Sequence, residues 1–433
     1  MTLRWPWSSP APTPLKVAPR AATARVEPRL LPPGEAFTPT RPKPGRRQLV
    51  GRETELERIL QALQEEQAHV VLYTERGRGK TSLANLVIET LRQAGVIVAR
   101  HTCEAGSTFD GIMRGLLRDL PRALLATPAN DPSEVGCEAA LPHRDLRPRD
   151  VVAVMDRLTC RALVCVVDEF DRVQDKDTRT RLADTIKQVS DQGVPLLFMV
   201  VGVSENLEQI LGQHPSIQRN LVAVQLPLLS DAEVAAIIET GAQLAGFTVT
   251  PPVAQNVAIL ARGSPYMAQF IGLRLVQSAR KRGNADVSDA DLATAVIRLL
   301  AEASPHTLAF YASLTSGATD AEMVRALLAL ATASQDVWGR FAVLPSFRDG
   351  VAVGQNHIRA ESWARILDSG ALRAVPERFG LYTFADRNLM HHIILLAAYD
   401  AQPGAGKPVM PSGNPGVSGM TAPANGHIVA ARA

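Results

Sequence analysis

Eight residues, Thr74-Glu75-Arg76-Gly77-Arg78-Gly79-Lys80-Thr81, constrain this chain more than any others because of what flanks them. Val70-Val71-Leu72-Tyr73 reads as a short apolar strand, and Leu83, Leu86, Val87 and Leu91 recur at helical spacing. A Gly-Lys-Thr triplet alone is a weak signal; placed between a strand and a helix it makes a phosphate cradle. Backbone N–H groups and the positive helix end face the phosphates, Lys80 reaches the β and γ groups, and the Thr81 hydroxyl binds Mg²⁺. The usual pattern has Gly where this chain has Thr74, which leaves Gly77 and Gly79 to supply the tight turns. The candidate binding residues here are Thr74, Glu75, Arg76, Gly77, Arg78, Gly79, Lys80, Thr81 and Ser82.

A second segment turns the cradle into a candidate site. Leu163-Val164-Cys165-Val166-Val167 is an apolar strand that ends in Asp168-Glu169. Acids at the carboxyl end of a parallel strand face the crevice where ligands sit. Asp168 is the candidate Mg²⁺ ligand and Glu169 the candidate group to polarise an attacking water.

Further strands (Val96–Ala99, Leu196–Val201, Leu221–Leu226) alternate with helical patterns through Leu56, Ile59, Leu60 and Leu63 and through Leu182, Ile186 and Val189. Continuous apolar strands separated by helices predict an α/β fold with a parallel sheet covered on both faces. Residues 122–148 read as an insertion or long loop. After Leu226 helices take over: Ser230 with Glu233, and Ser288 with Asp291, are capping boxes. The expected organisation is a Pro/Arg-rich disordered arm (1–48), an α/β core (49–229), a helical lid (230–303), a winged-helix-like module (304–400) and a disordered tail (401–433). In the module, Glu361 to Gly370 reads as a helix whose Glu361 and Arg365 pair at i,i+4, followed by a hairpin of Leu372–Val375 and Leu381–Phe384. His391 and His392 are adjacent, so they diverge on a helix and carry no metal site.

Leu49-Val50-Gly51-Arg52-Glu53, the phosphate loop and Asp168-Glu169 together resemble the AAA+ and STAND branch of P-loop ATPases, and are similar to archaeal replication-initiator ATPases with a C-terminal winged helix. The resemblance spans roughly residues 48–300. It implies a P-loop NTPase three-layer sandwich, ATP and Mg²⁺ as ligands, and a switch driven by ATP hydrolysis. The alternative is a DNA-binding initiator or adaptor in which ATP licenses assembly. It also implies that Val50, Gly51 and Arg52 contact adenine. Ser204 falls where such ATPases place a γ-phosphate sensor, although it equally suits a helix N-cap. Arg219 falls where an arginine finger would reach a neighbouring subunit of a homo-oligomer, although an ordinary exposed arginine fits as well. Pro265, in Gly263-Ser264-Pro265-Tyr266, occupies the second-sensor segment; Tyr266 stands where many AAA+ proteins have Arg, which favours the STAND type. No Asn-Lys-x-Asp element points to guanine, so ATP is the expected nucleotide.

Charge and composition narrow the partners. Residues 1–48 hold nine Lys/Arg against two acids, a net +7, so the remaining residues carry a net −4. A basic body for nucleic acid is therefore not expected, DNA remains possible, and a protein partner is expected. No apolar run approaches the roughly 18 residues that would suggest a membrane span. The cysteines (Cys103, Cys137, Cys160, Cys165) show no metal spacing and suit a reducing, cytoplasmic setting.

Overall fold

The computed structural model describes residues 30–39, 50–75, 77–125, 136–159, 162–203, 218–316, 320–346, 349–376 and 378–401. The chain divides into two units, one of Arg41–Leu226 and one of Leu30–Thr40 with Pro227 onward. The first helix, α1 (Pro33–Ala36), belongs to the second unit.

The first unit runs α2 (Glu53–Gln64), β1 (His69–Thr74), α3 (Lys80–Gln93), β2 (Ile97–Thr102), α4 (Phe109–Arg118), α5 (Pro148–Met155), β3 (Leu163–Asp168), α6 (Lys176–Gln192), β4 (Leu196–Val203) and β5 (Leu221–Gln225). The strands form one parallel sheet in the order β2-β3-β4-β1-β5. Alternate residues serve opposite faces. Val71 joins Cys165, Val167, Phe198 and Val200 beneath α4, α5 and α6, whereas Val70 and Leu72 join Val164, Val166, Met199 and Val201 beneath α2 and α3. Burial on both faces is why these strands read as unbroken apolar runs. His69 is the polar exception. Its Nδ1 accepts the Phe198 N–H at 2.9 Å, its Nε2 lies 2.8 Å from Ser190 Oγ, and burial drops its pKa to about 4.

In the second unit, α7 (Asp231–Leu244), β6 (Thr248–Val249), α8 (Pro251–Ala261), α9 (Pro265–Arg282), β7 (Asp286–Val287) and α10 (Asp289–Ala301) make the helical bundle. The two expected capping boxes open α7 and α10. Next come α11 (Pro305–Thr315), α12 (Asp320–Thr332), β8 (Phe341–Ala342), β9 (Leu344–Ser346), β10 (Gly350–Val353), β11 (Asn356–Arg359), α13 (Ala360–Asp368), β12 (Leu372–Ala374), β13 (Leu381–Phe384) and α14 (Arg387–Asp400). The antiparallel sheet β12-β13-β8 with α13 is a winged-helix-like arrangement, and the meander β11-β10-β9 lies between β8 and α13 in the chain. Helix α14 contacts α8, α10, α11 and α12. It buries Leu389 through Leu396 all round, the pattern of a core helix rather than a surface one. Bundle and winged module thus share one core.

Two expectations need correction here. The arm was expected to stay unfolded through residue 48, yet Leu30–Pro39 is ordered structure: Pro32 and Pro33 start α1, and Phe37 is fully buried. The Phe37 ring lies where a Cβ on Gly241 or Gly272 would sit, 2.4 and 2.3 Å away, so two glycines form its socket. The Leu31 N–H donates to Leu244 O at 2.8 Å, and the Thr38 N–H to Gln269 Oε1 at 3.2 Å. One buried aromatic, worth about 1.5–3 kcal/mol, outweighs local composition over so short a strap. Secondly, Arg365 does not pair with Glu361. Its Nη2 donates to the carbonyls of Leu314 (3.0 Å) and Ser316 (3.4 Å) at the end of α11, a stronger use of a guanidinium than an exposed i,i+4 pair.

Candidate functional site

The site is built at the carboxyl end of β1. The turn after it needs left-handed backbone twice, at Gly77 (φ 82°) and Gly79 (φ 86°), positions where a side chain would be strained. Gly79 is the N-cap of α3 and supplies no side-chain acceptor, so the first-turn N–H groups of α3 keep no side-chain cap. That is the donor set an anion requires. Thr81 and Ser82 lie in this turn, both partly exposed. Lys80 Nζ sits 3.9 Å from Asp171 Oδ1.

Thr74 is buried, and its hydroxyl donates to Leu226 O at 3.0 Å, beyond the end of β5. Arg78, also buried, donates from Nη1 to the same carbonyl (3.2 Å) and from Nη2 to Glu75 Oε2 (2.6 Å). Arg52 donates from Nη2 to Arg78 O (3.2 Å) and from Nη1 to Glu55 Oε1 (3.0 Å). The side chains of Thr74, Glu75 and Arg78 therefore brace the loop from behind. The Val50-Gly51-Arg52 segment reaches that brace, with Gly51 buried at φ 77°. Arg76 and Ser204 lie outside the described residues.

The acids come from the far side of β4, which lies between β1 and β3 in the sheet. Asp168 is buried; its Oδ1 accepts the Glu169 N–H at 2.9 Å and its Oδ2 pairs with Arg100, which also holds Asn85 Oδ1 at 2.8 Å. Glu169 is left-handed (φ 52°) and half-exposed, with Oε2 2.9 Å from Arg172 Nη1. A non-glycine residue held in that region is strained, and strain of this kind clusters at working sites. Asp171 Oδ1 accepts the Val203 N–H at 2.7 Å, which fixes it beside Lys80. Buried Cys103 senses the cluster: burial, then Asp168, Asp171 and Glu169, push its thiol up to about 12, so it stays protonated. No group of three metal-ligating side chains forms among the described residues.

Sequence reasoning missed Asp171 and Arg100. Asp171 carried a usable signal, three residues after Asp168 in the same turn; Arg100 carried none. Arg219 is exposed just before β5. Pro265 lies in the second unit at the first turn of α9, behind the Ser264 cap.

Residues 48–200 match the family model of the AAA ATPase domain. This segment is an AAA ATPase domain. The match contains the loop, Asp168 and Glu169, and assigns the AAA ATPase domain to an ATP-hydrolysing class at the family level. No curated protein matches the chain. Among solved structures the chain is similar to the Thermotoga maritima RuvB Holliday junction branch migration motor (14% identity, 79% of this chain and 94% of that chain, TM-score 0.42). It is also similar to the Aeropyrum pernix ORC2 protein (15%, 82% and 96%, 0.43) and to Cdc6p from Pyrobaculum aerophilum (14%, 84% and 98%, 0.44). Likeness at this level bears on neither activity nor partner. No helix among the described residues is long and apolar enough to cross a membrane.

Proposed function

We propose that the AAA ATPase domain binds ATP with Mg²⁺ and hydrolyses it as a nucleotide-dependent switch. The observation that carries this reading is the α3 N-terminus, which has no side-chain cap and stands behind two left-handed glycines with Lys80 at its first position. Lys80 Nζ stands 3.9 Å from Asp171 Oδ1, on the acidic side of the same crevice. Thr81 and Asp168 would hold Mg²⁺, which supplies charge neutralisation to the phosphate oxygens.

Glu169 is the candidate base. It accepts a proton from water as the water oxygen bonds to the γ-phosphorus and the bond to the β–γ bridging oxygen breaks, giving ADP and phosphate. Because the Glu169 carboxylate pairs, among the described residues, with exposed Arg172 alone, it can turn toward the phosphates without losing a buried partner. Arg219, exposed at the sheet's β5 edge, is the candidate to act in trans in a homo-oligomer. Ser204 and Pro265 are proposed as sensor positions, and Val50, Gly51 and Arg52 as the nucleoside end of the site.

The test is nucleotide retention and turnover in the full chain. Wild type should bind and hydrolyse ATP, whereas Glu169→Gln should bind without turnover. Absence of adenine-nucleotide binding in wild type would refute the reading.

A second reading has its own support: an initiator or adaptor in which ATP licenses assembly on DNA. The loop between β12 and β13 presents Phe379 fully exposed beside exposed Arg378, an apolar tip and a cation on a wing. Duplex binding that requires ATP would favour this reading; duplex binding indifferent to ATP would count against it.

A further inference from the structure

Composition puts the excess cations in residues 1–48 and leaves the rest of the chain net negative. The second unit nevertheless gathers four cations around one groove. Arg274, Arg280 and Lys281 of α9 and Arg298 of α10 line a space of about 710 Å³, with Pro32, Pro33 and Gly34 of the N-terminal strap on its other side. Arg274, Gln277 and Lys281 stand at i, i+3 and i+7, one stripe of α9.

Two guanidiniums meet there on a single neutral group. Gln277 Oε1 accepts from Arg274 Nη1 at 2.8 Å and from Arg298 Nη1 at 3.4 Å. Arg274 also pairs with Glu302 at 2.6 Å and lies over the Phe270 ring at 5.3 Å, so its direction is set. Exposed Arg280 and Lys281 make no ion pair with a described residue, and among the described residues no carboxylate lines the groove. Complementing the helix dipole accounts for cations in the last turns of α9 and α10. It does not account for Arg274, in mid-helix, or for the convergence of all four.

We propose that this groove binds the phosphodiester backbone of a nucleic acid, irrespective of its sequence. Three of the four cations are arginine, whose fork matches phosphate oxygens. The groove is open, as a polymer requires, and among the described residues no aromatic ring lines it on which a base could stack. The inference rests on the DNA-linked reading above and adds to it a surface apart from the wing.

The experiment is fluorescence anisotropy of a labelled random-sequence duplex with the full chain, titrated from about 50 to about 200 mM salt. In Arg280→Ala/Lys281→Ala/Arg298→Ala, affinity should fall roughly 10- to 100-fold, and the slope of log K against log salt should shrink by about 2–3, close to 0.9 per lost contact. Lys281→Glu, a single exposed change, should show a smaller loss of the same kind and guards against misfolding of the triple variant. ATP retention should be unchanged in both. Duplex binding with unchanged affinity and slope in both variants would overturn the groove and leave the DNA-linked reading standing. No binding by wild type would overturn both. Displacement of the duplex by charge-matched polyglutamate at equal concentration would overturn the nucleic-acid assignment in favour of an acidic protein partner.

Discussion

The two units solve the placement of charged groups in opposite ways. In the first, the working groups come from short stretches of chain: Thr74 to Ser82, and Asp168 to Asp171, only four residues long. In the second, the groove cations stand at 274, 280, 281 and 298, on two helices, and become neighbours only through packing. A parallel sheet delivers loops to one edge, so local sequence carries the site. A helical bundle delivers faces, so its sites are scattered along the chain.

Five variants or conditions probe that contrast. Lys80→Ala should abolish turnover and lower ATP affinity by roughly 100-fold or more, as loss of a charge-assisted partner does, while thermal unfolding of the second unit stays unchanged. Isothermal titration and calorimetry together would check this; a shifted second-unit transition would break the separation of the two regions. Glu169→Gln should cut turnover by about 10²–10⁴ and keep nucleotide binding, as measured in single-turnover assays.

Phe37→Ala should destabilise the second unit by about 3–5 kcal/mol, by emptying a socket built from Gly241 and Gly272, with ATP affinity untouched. Chemical denaturation would read this out, and a null effect would mean the strap is not integral to that unit.

Acid should also separate the units. Burial, with Arg387 nearby, holds His391 at a pKa of about 3; burial alone holds His392 and His69 at about 4. Each is lowered relative to the unfolded chain, so each contributes stability above about pH 6.5 that is lost as pH falls toward the folded-state value. The second unit carries two such deeply buried histidines; the first carries His69 and half-buried His101, which burial also lowers. Between about pH 6.5 and 5 His391 and His392 together should cost the second unit about 3 kcal/mol, as the slope climbs toward about 1.4 kcal/mol per histidine per pH unit, with a smaller loss in the first unit, where His101 is only half-buried. Equal acid sensitivity in both transitions would contradict the burial of His391 and His392.

The smallest effect is expected from Thr74→Gly. It restores the common motif residue but removes the hydroxyl bond to Leu226 O, so it should lose about 1 kcal/mol of stability and gain no ATP affinity. Tighter binding instead would show that Thr74 limits the loop.

Much of the first unit was legible. Val70–Tyr73, the loop and Leu163–Glu169 announce themselves because strands buried on both faces are apolar runs and phosphate loops need glycine. Arg52 was legible as part of a motif, yet the bond it makes to Arg78 O was not, since nothing in its spacing points to that carbonyl. The strands β8 to β11 escaped notice because they run two to four residues, too short for a period to emerge, and β11 carries His357 and Arg359. Leu30–Pro39 was misread because proline content speaks for the average of a segment, whereas a single buried Phe37 decides where that segment sits.

The chain's order of residues by itself determined the α/β class, the phosphate loop and the acidic pair, because glycine conformation, helix polarity and two-sided burial act within a few residues of one another. Only the tertiary structure decided that Asp171 stands beside Lys80, that Arg100 claims Asp168, that Phe37 folds the strap and that four cations share a groove. Each of those depends on elements far apart in sequence meeting at a few ångströms, and close packing sets such distances where local propensity cannot.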